Sequence, residues 1–206
     1  LTDGKSFNGF AVTGIGPIQR PRFFQRIPIG PLSEDESVEA IRKPVQLAVP
    51  GFSFTDDAAR LVHQRAVGHP YFLKAICHRV FEIAEGKGNV DAEWLLKHWP
   101  VIEKKLEDAK FGKEFEIPSE GERAVLLRAS LLGLRFEAKE LRGEQLPSLD
   151  VHLHRLVSKG LLRGVSRGIY EIYHPLFREY LRSEAEKQNL APPTHDEVPE
   201  DRPVLG

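Results

Sequence analysis

Leu161-Leu162-Arg163-Gly164-Val165-Ser166-Arg167-Gly168-Ile169-Tyr170-Glu171-Ile172-Tyr173-His174-Pro175-Leu176-Phe177 is the stretch on which the fold turns. Two runs, 161–165 and 169–173, flank Ser166-Arg167-Gly168, and a glycine in so short a connection supplies a hairpin turn. His174-Pro175 then takes the chain from strand into helix. Upstream, Ser119-Glu120-Gly121-Glu122 opens a helix with Ala124, Val125, Leu127 and Leu131 on its apolar face, and a shorter helix follows around residues 138–141. Pro147-Ser148-Leu149-Asp150 begins another, which carries Val151, Leu153, Leu156 and Val157 to Lys159-Gly160.

Three helices followed by a hairpin is winged-helix topology, and the region expected to form it is 114–187. A second phrase, Gly68-His69-Pro70-Tyr71-Phe72-Leu73, lies about a hundred residues earlier. Gly68 is suited to stop one helix, and Pro70 to start the next, because a first-turn proline loses no hydrogen bond. Around this phrase the pattern is helical. Ser33 with Glu34, Asp35 and Glu36 caps a helix expected to end near Pro44. Thr55-Asp56-Asp57 caps a second, and Phe72, Leu73, Ile76, Val80 and Phe81 give a third its apolar spacing as far as Gly86-Lys87-Gly88-Asn89. Asp91 caps a fourth through Trp94, Leu95 and Trp99, and the charged residues 103–113 are expected to bridge onward. The expected fold class is therefore mainly α: a helical bundle over residues 33–113, then a winged helix with a short β-hairpin. Residues 1–32 read as a strand at Phe10-Ala11-Val12 followed by loop, and 188–206, Pro-rich and acidic, as a disordered tail.

Composition narrows the function. The 206 residues are 41% hydrophobic, and 29 Lys and Arg stand against 30 Asp and Glu, so no whole-chain field draws in nucleic acid or an anionic membrane. No apolar run approaches the roughly 18 to 20 residues of a membrane span, so no membrane partner is expected. Cys77 is the only cysteine and has no disulfide partner, which makes the cytoplasm the expected location. It reads as buried filler. His63, His69, His78 and His98 lack metal-ligand spacing, and no metal is expected. The chain begins at Leu1 and contains no methionine, which reads as a fragment of a longer protein. Gly14-Ile15-Gly16 lacks the third glycine of a dinucleotide fingerprint, and there is no P-loop.

The two phrases together resemble the C-terminal half of AAA+ P-loop ATPases, in particular the STAND branch and the archaeal-type ATPases, over most of residues 10–186. Residues 22–36 resemble the family's passage from the ATPase core into its lid, so that 1–32 would be a remnant of that core. Gly68-His69-Pro70-Tyr71 resembles the Gly-x-Pro lid motif, whose proline packs on the adenine ring, and His174 resembles the winged-helix histidine that contacts the ADP β-phosphate. An aspartate commonly follows that histidine; Pro175 stands here. The resemblance implies ATP or ADP at Gly68, Pro70, Tyr71 and His174, with Mg²⁺ held only by an upstream P-loop ATPase domain. The Walker acids and lysine would lie before Leu1, and phosphoryl transfer needs them, so no ATPase activity is expected of this chain alone.

A bland reading stands beside each of these. Pro70 serves equally as a first-turn proline, Tyr71 and Phe72 as core, and His174 as a helix-start residue. The winged helix also raises duplex DNA, or a protein, as partner of a stand-alone module. Arg155 and Lys159 on the third helix, with Arg163 and Arg167 on the wing, would meet phosphates. Between residues 119 and 187, twelve basic residues face ten acidic ones. That small excess ranks DNA second to an intramolecular switch.

Overall fold

The computed structural model describes residues 30–86, 88–142 and 146–191. The chain divides after Gly30 into two units; the strand expected at Phe10 lies outside the described residues, as does the tail beyond Ala191. Within Pro31–Gly206 the described chain is mainly helical with two small sheets.

Helix α1 (Glu34–Ala48) starts in a full capping box, in which the Ser33 hydroxyl accepts from the Glu36 amide and the Glu36 carboxylate accepts from the Ser33 amide at 2.8 Å. It does not end near Pro44, as its sequence predicts, but runs through it. Proline forfeits its own N–H bond and its ring crowds the carbonyl four residues back, but Ile41 and Val45 hold the helix to the core on either side. Strand β1 (Phe52–Phe54), helices α2 (Asp56–Ala66) and α3 (Pro70–Ile83), and strand β2 (Gly88–Val90) follow. β1 and β2 pair in parallel, Phe52 opposite Gly88 and Phe54 opposite Val90. Three-residue strands carry too little alternation to be read from sequence, and this pair was not expected.

Helix α4 (Ala92–Leu106) is capped by Asp91 and passes through the wider turn Glu107–Phe111, a π-helical turn, into the short α5 (Gly112–Glu116). The expected charged bridge is thus continuous helix. The extra residue in the π turn leaves Phe111 pointing into the core, 1% exposed, 5.9 Å from Phe72 and 5.7 Å from Phe177.

The second half runs α6 (Glu120–Leu132), β3 (Arg135–Glu137), a 3₁₀ turn (Ala138–Leu141), α7 (Leu149–Ser158), β4 (Leu162–Ser166), β5 (Ile169–Ile172) and α8 (Pro175–Lys187). The hairpin β4–β5 and the three helical segments are where sequence places them. The third strand, β3, was not expected; it lies antiparallel on β5, giving the sheet order β3-β5-β4. Phe136 on β3 stacks on Tyr170 of β5, a cross-strand aromatic pair that fixes the register. Leu190 packs on the core after α8. Both halves share one hydrophobic core, joined at their seam by Phe72, Phe111, Phe177 and Tyr173.

Candidate functional site

The two diagnostic phrases meet in one corner. Helix α2 ends in consecutive left-handed residues, Val67 (φ 50°) and Gly68 (φ 66°), which bend the chain into α3. Gly68 is required twice over. Its backbone lies where only glycine is unstrained, and a Cβ there would overlap the Leu32 carbonyl oxygen. The Leu32 amide in turn donates to the Gly68 carbonyl at 2.9 Å, tying the entry of α1 to this turn. Pro70 is the first residue of α3.

His174 enters the same corner from the other half. It is the N-cap of α8: its Nδ1 accepts from the Leu176 amide at 3.2 Å. Its Nε2 lies 3.0 Å from the carbonyl oxygen of Ala66, 108 residues away in sequence. A nitrogen that accepts carries no proton, so Nε2 is the protonated one and donates to Ala66. The imidazole is 2% exposed and stacks on Phe72 with centroids 3.7 Å apart. Burial chiefly, helped by the charges of His69, Arg163 and Lys110 and opposed by the Ala66 bond, pushes its pKa down to about 4. The ring is neutral at pH 7.

Beside it, the Lys110 ammonium sits 4.4 Å above the Tyr71 ring and bonds Glu114 at 2.6 Å, and the Tyr173 hydroxyl donates to Glu114 at 2.5 Å. Burial, and then the Glu114 carboxylate, raise the Tyr173 phenol far above its ordinary range. Lys110, Glu114 and Tyr173 were missed in the sequence, where the π turn that delivers Lys110 has no signature; Phe72 was read only as core.

On the other face of α3 an apolar groove of about 530 Å³ is walled by Leu32, Ile41, Val49, Pro70, Leu73 and Phe81. Cys77 also lines it, and burial raises its thiol to about 12, leaving it unreactive at neutral pH. Of the residues expected at a nucleotide, Pro70 lines this groove, whereas Tyr71 is half exposed and lies under Lys110 rather than in the groove wall. Gly68 shapes the turn, and His174 is buried with both ring nitrogens bonded inside the protein. The groove walls are chiefly apolar. The ring nitrogens of His174, so arranged, do not fit a phosphate.

Of the four basic residues expected at DNA, two are paired with carboxylates. Lys159 bonds Glu122, itself 1% exposed in the capping box of α6. Arg163 pairs with Glu171 at 2.5 Å, and Glu171 also holds Arg135 at 2.9 Å. Arg155 and Arg167 are exposed. Among the described residues no group of three or more His, Cys, Asp or Glu is arranged to hold a metal, and no helix is long and apolar enough to cross a membrane. No protein-family model matches the chain, and comparison with the curated proteins and with the solved structures finds no match.

Proposed function

We propose that the chain is the lid and winged-helix portion of an AAA+ ATPase of STAND or archaeal type, a regulatory switch in which nucleotide state sets how the winged helix docks on the lid. One observation carries the reading: His174 and the turn 66–70, far apart in sequence, are bonded to each other at the seam of the two halves. The order helix, strand, short helix, helix and hairpin, with sheet order β3-β5-β4, supports a winged helix in the second half. Helices α1 to α4 take the part of the lid. The adenine ring would lie against Pro70 in the apolar groove. Phosphates and Mg²⁺ would be held by an upstream P-loop domain, which would also perform hydrolysis.

A stand-alone DNA-binding module has less support, because two of its four candidate cations, Lys159 and Arg163, are bonded to carboxylates. The mass of the native protein in its source cells separates the two. The switch reading expects a band of about 40 kDa or more, since a P-loop domain adds roughly 150 to 200 residues. A band near 23.3 kDa would overturn it.

A further inference from the structure

The neutral, doubly bonded ring of His174 has a consequence that involves no nucleotide. We propose that His174 is a ligand-independent, pH-sensitive latch between the two halves of the chain, closed by its Nε2–H tautomer on the Ala66 carbonyl and weakened when the ring takes up a second proton.

The geometry specifies the tautomer. Leu176 N–H, in the first turn of α8, points at Nδ1 and keeps that nitrogen unprotonated, which leaves the proton on Nε2 facing Ala66. Ala66 closes α2, and a carbonyl at a helix C-terminus carries partial negative charge and favours a donor. Its oxygen also accepts from the His69 amide at 2.9 Å, so the latch seizes the turn at its tightest point. A second proton would sit on Nδ1, opposite the Leu176 N–H, and two donors would face each other. The cap of α8 would be lost together with the neutral ring.

The surroundings do not welcome that charge. His69, whose ring is 6.1 Å away, comes from the α2–α3 turn, Lys110 from the π turn and Arg163 from β4, and all three oppose it. The flanking faces are Phe72 and the phenol of Tyr173, 6.3 Å off. Glu114, the carboxylate of this cluster, is engaged by Lys110 and Tyr173.

The ring's folded pKa lies below its unfolded value, so the latch is at full strength above about pH 6.5 and weakens as pH falls toward about 4. Over that window the unfolded chain binds a proton that the folded chain refuses, and the folding constant drops by up to about tenfold per pH unit. A second seam contact has the opposite sign. Burial and then the neighbouring Glu179 of α8 raise the Glu103 carboxyl of α4, so acid strengthens that pair. A test must therefore isolate His174.

The test uses the 206-residue chain without nucleotide, so its outcome is separate from that of the ATPase reading. Nitrogen NMR of the His174 ring should find the neutral Nε2–H tautomer at pH 7 and protonation well below pH 6. The unfolding constant of wild type and of His174→Asn is then compared from pH 7 to 4. The asparagine oxygen can still cap Leu176, but its amide is too short to reach Ala66, and Glu103 and Glu179 are common to both proteins. The wild-type constant should rise about a hundredfold more than the variant's across the window. The proposal is overturned by a ring that titrates near 6.5, by the Nδ1–H tautomer, or by a variant with the wild-type pH slope.

Discussion

Gly68 has two readings at the scale of a single residue: a motif glycine beside a nucleotide, or a backbone necessity. Its left-handed φ and the Leu32 carbonyl against its missing side chain make it a necessity whatever binds nearby. A left-handed alanine costs roughly 1 to 2 kcal/mol, and relieving the overlap also displaces the Leu32 to Gly68 hydrogen bond. Gly68→Ala should therefore destabilise the chain by about 3 kcal/mol. Gly160, also left-handed (φ 74°) but with open space around it, is the control, and Gly160→Ala should cost only about 1 kcal/mol. Urea unfolding of the two variants checks this; equal losses would mean that the Leu32 contact is irrelevant. Sequence could mark Gly68 as a helix stop. It could not show Leu32, because that contact joins residues 36 apart through a turn with no pattern of its own.

At the scale of the element, the link between α6 and α7 runs through Lys159 and Glu122. Burial opposes ionisation of Glu122, but the Lys159 ammonium and the Ser119 amide outweigh it and bring the carboxyl below its usual range. The folded pKa is depressed, so the contribution is complete above the ordinary carboxylate range and disappears as pH falls through the folded value. Lys159→Met leaves Glu122 buried with only its capping bonds. The expected cost at pH 7 is about 2 kcal/mol, less than the 3 to 5 of a fully buried pair, because the Lys159 side chain keeps 31% of its exposure. The cost should shrink in acid, as pH falls through the lowered folded value and Glu122 takes up its proton; thermal unfolding at pH 7 and below the ordinary carboxylate range reads both values. Losses that do not change with pH would assign Lys159 to packing alone. The same pair explains why Lys159 misleads as a DNA contact. Its place on the third helix is legible from periodicity, but its partner sits 37 residues upstream in a capping box that already accounts for Glu122. The starts of the long amphipathic helices were readable because capping and apolar spacing are local, whereas the extent of α1 past Pro44 and of α4 into residues 107–116 was not. The β1–β2 pair, β3 and the π turn were not, since each depends on contacts between distant residues or on one inserted residue.

For the whole molecule, the two halves share one core, and their seam is aromatic at its centre, with titratable contacts at its margins. His174 and the Gly68–Pro70 turn were both visible as phrases in the sequence. Their bond was not, because it spans 108 residues. In the proposed reading a purine would lie on Pro70 in the α1–α3 groove, while His174 is a latch held by the protein itself. Calorimetric titration of ADP into the native full-length protein, wild type against Pro70→Ala, tests that placement most directly. Alanine at the first position of α3 preserves the helix and removes the flat face offered to the base. The account predicts ADP binding that weakens about tenfold in the variant, a loss of about 1.4 kcal/mol. Absence of ADP binding, or equal affinity in the two proteins, would contradict it.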